Sequence, residues 1–331
     1  MPGETSLSVM LERSQREKVV SFWREFRERP AVRRTLSIIQ YSLLAAIVVY
    51  LLYRFSQVGW GEVIGALPTS PWFYLFFALR FLTLPVSELA IYEMIWRVPL
   101  WRYFPVFVRK RVYNFAVMGY SGEAFLTLWA RRTLPLSTPT VVVGVKDNNL
   151  LSALASNLST VIVIVIVAAL GTLSESLRSL PPGTAFLFAA AFTTALTLSI
   201  AVLLFRNKLI ALSSRKMAAL MGVHVSRTFL ILLLHAGMYA AALPEAPISA
   251  WLMFLALQLV LSRIPFIPNQ DLVFLGAALS LSSIVGASEA AVAGMLLAEA
   301  GLSQLVNFSL FFATAYLAQH DKTASTGARG T

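Results

Sequence analysis

Residues 71–96 read "PWFYLFFALRFLTLPVSELAIYEMIW", an apolar segment of 26 residues with three charged side chains. About 20 predominantly apolar residues are enough for an α-helix to cross a bilayer. The rest of the chain has the same character: of its 331 residues, 57% are hydrophobic and 13% are charged. A soluble domain carries about 25% charged residues. The composition therefore predicts a membrane protein with several spans.

Seven further apolar segments resemble membrane spans. The eight predicted spans are 35–53, 71–96, 148–170, 184–205, 228–243, 250–263, 271–285 and 303–318. Two shorter segments, 113–130 and 286–300, each contain a Gly and a Glu, and their length is typical of re-entrant helices. The predicted fold class is an all-α polytopic membrane protein over residues 35–318, with about eight transmembrane helices plus two re-entrant helices.

Positive charge indicates the orientation of this arrangement. Most of the 27 Lys and Arg residues fall on one side, in the N-terminal segment 1–34 and in loops such as 97–112 and 206–227. The positive-inside rule assigns that side to the cytoplasm. We therefore predict a multi-pass protein of the cytoplasmic membrane with both termini cytoplasmic and a disordered tail at 319–331. The net charge of +11 is then explained without nucleic acid as a partner.

The N-terminal segment 1–34 has a helical pattern of its own. Apolar residues recur at helical spacing, at Val19, Phe22, Trp23 and Phe26. This pattern predicts a basic amphipathic helix that lies on an anionic membrane surface. A solvated cytosolic tail is the alternative.

The two short segments resemble each other. Residues 122–137, "GEAFLTLWARRTLPLS", and 288–303, "SEAAVAGMLLAEAGLS", share Glu-Ala near the start and Leu-Ser at the end, with the same spacing between. In the predicted topology they enter the membrane from opposite sides. This arrangement predicts an inverted-topology repeat, which transporters use to place a substrate near the bilayer midplane. Chance similarity between two Ala- and Leu-rich segments is the alternative.

Three longer stretches resemble the flippase-like family, the transmembrane region of lysylphosphatidylglycerol synthases and its stand-alone relatives. The stretches are "YNFAVMGYSGEAFLTLWARRTLPLS" (113–137), "VVVGVKDNNLLSAL" (141–154) and "IVGASEAAVAGMLLAEAGLS" (284–303). Gly122, Glu123 and Glu289 match the family pattern, whereas Leu126 and Ser288 stand where the family has Arg. The resemblance covers most of residues 35–318 and implies translocation of a phospholipid or a polyprenyl-linked lipid.

Ionised side chains inside apolar segments are the candidate binding residues, since inserting each one costs at least about 2.5–3.5 kcal/mol. Arg80 is predicted to bind a phosphate, because a guanidinium can donate two parallel hydrogen bonds. The alternative is a salt bridge to Glu88, Glu123 or Glu289. Glu123 and Glu289 are predicted either to line a midplane cavity or to cap their own helices. The full predicted substrate-binding set is Arg80, Glu88, Glu123, Lys146, Asp147, Asn157, Asp271 and Glu289.

The predicted function is translocation of a lipid held in a cavity between the two re-entrant helices. Expected partners are membrane lipids, with a second copy of the chain or lipid-synthesis enzymes as further candidates. No cofactor or metal is expected, since the chain has no Cys and only three His. The alternatives are a membrane-embedded transferase with Glu123 or Asp147 as general base, and a non-catalytic scaffold.

Overall fold

The computed structural model describes residues 60–116, 120–169, 184–262, 270–282 and 286–327, with isolated positions at 42, 49, 52, 53 and 56. The predicted segment 1–34, nearly all of the span 35–53 and the loop 263–269 lie outside the described residues.

The described part of the chain is entirely helical, with no strand. In chain order the helices are α1 (Trp60–Gly65), α2 (Pro71–Trp96), α3 (Phe104–Ala116), α4 (Ser121–Thr133), α5 (Thr138–Ala169), α6 (Thr184–Leu204), α7 (Arg206–Leu209), α8 (Ser214–Ala242), α9 (Ile248–Leu261), α10 (Gln270–Ser280) and α11 (Glu289–Gly327). A single 3-10 turn, Trp101–Tyr103, precedes α3. Helices α2, α5, α8 and the first part of α11, Glu289–Ala313, are long and apolar enough to cross a membrane. The prediction of an all-α protein with several spans is confirmed at this level.

Helix α2 has the bounds that its sequence predicts. Ser70 is extended and Pro71 occupies the first turn, where its missing N–H and its fixed φ suit a helix start. At the other end, Arg97 adopts a left-handed conformation, and its N–H donates to the Glu93 carbonyl. The helix continues past Pro85.

Helices α5 and α8 begin well before their predicted spans. Helix α5 starts at Thr138 rather than near residue 148, and α8 starts at Ser214 rather than near 228. Hydropathy detects only the apolar part of a helix. The helix itself extends into polar residues wherever the backbone hydrogen bonds continue. The prediction of a loop at 206–227 is therefore wrong for most of its length, because residues 214–227 belong to α8 and Arg206–Leu209 form α7.

The two segments of the predicted repeat fold differently. The first is separated from the following span, because α4 ends at Thr133 and Leu134 is extended before Pro135. The second is not separated, since α11 runs without a break through Gly301. Gly301 stands where the first copy has Pro135, and a Gly only weakens a helix whereas Pro breaks it. The prediction of a separate second re-entrant helix at 286–300 is therefore wrong.

Two apolar clusters share α2. One contains Phe73 of α2, Tyr239 of α8, Trp251 of α9 and Phe274 of α10, together with buried residues of α11. The other joins the opposite end of α2 to α3, α4 and α5, and Tyr92 is among its buried members. Helix α2 also packs extensively along α8. Along α2, Arg80 therefore lies between two tightly packed regions.

Candidate functional site

A polar cavity of about 360 Å³ lies between α2, α8, α9 and α10. Its lining combines two arginines, one histidine and polar neutral groups with aliphatic residues: Arg80, Leu84, Arg227, Thr228, Ile231, Leu232, His235, Gln258, Leu259, Leu261, Ser262 and Phe274. Arg80 stands about 14 Å along α2, which is about 39 Å long, and Arg227 lies near the middle of α8. Both guanidinium groups therefore sit well inside helices long enough to span a membrane.

Arg80 is held by groups from two other helices. Its Nη2 donates to Oε1 of Glu299 on α11 at 2.6 Å, and its Nη1 lies 3.5 Å from Nδ1 of His235. The guanidinium carbon is 5.7 Å from the centre of the Phe77 ring. The Arg80 side chain keeps 20% exposure, so it is ion-paired and still reaches the cavity. Arg80 therefore forms a salt bridge, as the predicted alternative states. Its partner is Glu299 rather than Glu88, Glu123 or Glu289.

Glu299 accepts hydrogen bonds from three side chains. Besides Arg80, these are Nε2 of His235 and the hydroxyl of Tyr239, each 3.1 Å from Oε2. A neutral imidazole protonated at Nε2 satisfies both of its neighbours, because Nδ1 then accepts from Arg80 while Nε2–H donates to Glu299. The cluster of Arg80, His235, Tyr239 and Glu299 is here called the open cluster, since two of its members line the cavity.

Arg227 gives the cavity a second guanidinium. Its Nη2 donates to the Ser152 hydroxyl of α5 at 3.2 Å, and no carboxylate among the described residues lies within ion-pair distance. Arg111 of α3 stacks on the Phe81 ring at 4.2 Å, close enough to Arg80 for the two cations to repel. The surroundings of the cavity therefore hold more positive than negative charge, which favours an anionic ligand.

A second charged cluster lies further along α2. Nζ of Lys110 is 2.6 Å from Oε1 of Glu88 and 3.0 Å from Oε1 of Glu123, and it stands 5.8 Å from the centre of the Tyr92 ring. The Lys110 side chain is 1% exposed. These three charged residues, here called the sealed cluster, tie α2, α3 and α4 together. Glu88 and Glu123 are therefore structural ion-pair partners rather than members of the cavity.

The sequence Gly122-Glu123 has a physical reason in this cluster. A Cβ atom at Gly122 would collide with the Lys110 carbonyl oxygen, so Gly is required for α4 to approach α3. The Gly122 N–H donates to Oδ1 of Asn114 at 2.7 Å, and the Ser121 hydroxyl donates to the Tyr113 carbonyl at 2.6 Å. The close approach places Glu123 against Lys110.

Lys146 and Asp147 hold the connection that precedes α8. Lys146 Nζ donates to the Leu209 carbonyl at 2.7 Å, Asp147 Oδ2 accepts from the Ala211 N–H at 2.9 Å, and the two side chains are 3.1 Å apart. The next residue, Asn148, lies between the Tyr92 hydroxyl and Nε2 of His224. The contacts of this pair fix the backbone near α7 and are separate from the cavity.

The remaining predicted residues lie apart from Arg80. Asn157 donates to the Ser199 hydroxyl at 2.7 Å and joins α5 to α6 beside a largely apolar cavity of about 220 Å³. Glu289 is the first residue of α11 and is half-buried. Asp271 belongs to α10, and its side chain lies outside the described residues. The predicted binding set is thus divided among several places, and Arg80 is its only member known to line the polar cavity.

The sequence prediction missed three residues at or beside the cavity. Arg227 falls in a segment predicted as a loop, and neither His235 nor Glu299 is in the predicted binding set. One signal could have found the first two, because Arg227, Ile231 and His235 are spaced by four and share a helix face. Glu299 carries the same signal as Glu289, an acid inside an apolar segment, but it has no counterpart in the comparison with residues 122–137.

Comparison with known proteins adds no family to these observations. No family model, no curated protein and no solved structure matches this chain.

Proposed function

We propose that the chain translocates an anionic lipid, either a phospholipid or a polyprenyl-linked lipid, and that the lipid phosphate binds in the Arg80–Arg227 cavity. The observation that carries this proposal is the pair of guanidinium groups lining one cavity, one about a third of the way along α2 and the other near the middle of α8. A charged side chain at such a depth costs at least about 2.5–3.5 kcal/mol to insert. Two of them facing one cavity are typical of a pathway for a charged substrate.

The chemistry of the cavity suits a phosphate. A guanidinium offers two parallel N–H donors that match phosphate oxygens, and Arg80 and Arg227 approach from different helices. Gln258, Ser262 and Thr228 add neutral hydrogen-bonding groups, which suit glycerol or sugar hydroxyls of a headgroup. The positive charge of the surroundings favours one net negative charge on the ligand.

An amphipathic ligand fits better than a small soluble anion. The apolar cavity that includes Leu154, Leu196 and Val260 shares α8 and α9 with the polar cavity. Val260 follows Leu259 and precedes Leu261, both of which line the polar cavity. A lipid could therefore place its phosphate beside Arg80 and its chain along the neighbouring apolar walls. The resemblance of the sequence to flippase-like proteins supports the same class of substrate.

The proposed arrangement places the protein in the cytoplasmic membrane with both termini in the cytoplasm. Helices α2, α5, α8 and the first part of α11 cross the bilayer, and the α3–α4 pair enters from the cytoplasmic side and returns to it. Each of these two helices has 13 residues, about 20 Å, which is too short to cross a core of about 30 Å. The basic residues of loop 97–112 then remain cytoplasmic, as the positive-inside rule requires.

Reconstitution tests the proposal. Proteoliposomes containing fluorescent phosphatidylglycerol should lose fluorescence to external dithionite beyond the half reached in empty vesicles. Arg227→Gln should slow this loss by roughly 10–100-fold, because a hydrogen bond to a charged group is worth about 1.5–3 kcal/mol. Arg215→Gln is the matched control, since Arg215 is exposed in the first turn of the same helix. Wild-type protein that moves neither phosphatidylglycerol nor a fluorescent polyprenyl phosphate would overturn the proposal, and chemical conversion of the lipid would favour the transferase.

A further inference from the structure

We infer that Glu299 is a proton-binding site that exchanges with the lipid phosphate for Arg80, so that one proton accompanies each anionic headgroup. This inference rests on the proposed function, because it takes the polar cavity as the headgroup site. The inference adds to the proposed function a coupled ion, the proton, and it names Glu299 as the residue that binds this proton.

Two residues that border the cavity, Arg80 and His235, also contact Glu299. Arg80 and His235 line the cavity, whereas Glu299 does not. Glu299 contacts Arg80 through Oε1 at 2.6 Å and His235 through Oε2 at 3.1 Å. A phosphate in the cavity and the Glu299 carboxylate would therefore compete for one guanidinium.

The charges determine the result of that competition. Arg80 and Glu299 form a neutral pair, and His235 is satisfied as a neutral imidazole. If Arg80 turns to a phosphate, Glu299 retains only two neutral donors, the His235 N–H and the Tyr239 hydroxyl, with 13% of its side chain exposed. A carboxylate that loses its cation in an apolar region becomes easier to protonate. Uptake of one proton makes Glu299 neutral, while Arg80 stays protonated and offsets the phosphate charge.

Other titratable groups around Glu299 do not replace this exchange. Helix α11 also packs against α1, α3 and α10. On α1 the acidic residue is Glu62, which is exposed, and on α10 it is Asp271, whose side chain lies outside the described residues. On α3, Arg111 lies toward Arg80, where it adds positive charge and favours the departure of Arg80 toward an anion. Arg227 faces the cavity from α8.

Calorimetry on the full chain in detergent tests the inference. Dihexanoyl phosphatidylglycerol is titrated in two buffers with different ionisation enthalpies, which gives the number of protons bound per ligand. We expect uptake of about one proton, and an affinity that falls by up to about tenfold per pH unit as the pH rises. Glu299→Gln should still bind the lipid, with no proton uptake and a flat pH dependence. Glu245→Gln, at an exposed carboxylate between α8 and α9, should behave as wild type.

Each outcome has a distinct meaning. Wild-type protein that binds the lipid without taking up a proton overturns the inference and leaves the proposed function standing. Wild-type protein that neither binds nor translocates the lipid overturns the proposed function itself. If Glu299→Gln does not fold, infrared difference spectra of the wild type decide, because lipid binding should create a protonated carboxyl band. Loss of proton uptake in His235→Gln, with uptake retained in Glu299→Gln, assigns the proton to His235 and overturns the inference.

Discussion

The open and sealed clusters are both anchored on α2, eight residues apart, and each centres on one cation paired with carboxylate. They differ in their surroundings. Lys110 is 1% exposed and closed in by Glu88, Glu123 and Tyr92, whereas Arg80 is 20% exposed and borders a cavity. A buried ion pair without access to a ligand holds helices together, whereas a similar pair beside a cavity can exchange partners. Access to a cavity therefore distinguishes the two clusters, and under the proposed function it separates a structural charge from a ligand-binding one.

The largest effect is expected at the sealed cluster. Lys110→Met should lower the free energy of unfolding by about 3–5 kcal/mol, because it leaves the buried Glu88 and the largely shielded Glu123 without a cation. Unfolding in detergent by heat or denaturant measures the change. Adding Glu88→Gln and Glu123→Gln to Lys110→Met should recover much of the stability, since no buried charge then lacks a partner. Lys208→Met is the control, with an effect below about 1 kcal/mol, because Lys208 is exposed and has no carboxylate within ion-pair distance among the described residues.

Arg80→Gln should have a large effect on transport and a smaller effect on stability than Lys110→Met. We expect transport of phosphatidylglycerol to fall by at least about tenfold, because one of the two phosphate donors is lost. The loss of stability should be smaller than for Lys110→Met, since Glu299 can take up a proton and Tyr239 and His235 still donate to it. Thermal unfolding and the vesicle assay on the same preparations measure both quantities. Equal destabilisation by the two substitutions would contradict the distinction between the clusters.

The smallest effect is expected at the glycine that lets the sealed cluster form. Gly122→Ala should destabilise the protein by about 1–3 kcal/mol, because the added methyl group collides with the Lys110 carbonyl oxygen and pushes α4 away from α3. Gly222→Ala on α8 is the matched control. A Cβ there meets nothing within 4 Å, so this substitution should be neutral or stabilising. Equal effects of the two changes would show that the close contact between α3 and α4 contributes little.

Much of the fold follows from local rules. The bounds of α2 were predictable because Pro71 marks the start and apolar residues fill the length between charged ends. The separation of α4 from α5 also has a local signal in Pro135, and its counterpart Gly301 explains why α11 is continuous. The early starts of α5 and α8 were not predicted, because polar residues such as Arg227 reduce hydropathy without interrupting a helix.

The site was predictable only in part. Arg80 stands out in the sequence because a cation inside an apolar span is costly, and that cost is a property of the residue and its neighbours along the chain. Its actual partner, Glu299, lies 219 positions away on another helix, and no spacing rule connects them. The sequence similarity around Glu123 and Glu289 suggested that these two residues act together. In the structure Glu123 belongs to the sealed cluster, Glu289 begins α11, and neither lines the polar cavity.

The amino-acid sequence alone determined that this is a helical membrane protein, where several of its apolar helices lie, and which charged residues are expensive to bury. Burial cost and helix periodicity are local properties, so they can be read from neighbouring residues. Only the tertiary structure decided which charges meet, which of them are sealed and which border a cavity. Ion pairing and access depend on how distant helices pack, and packing is set by side-chain shapes summed over the whole molecule.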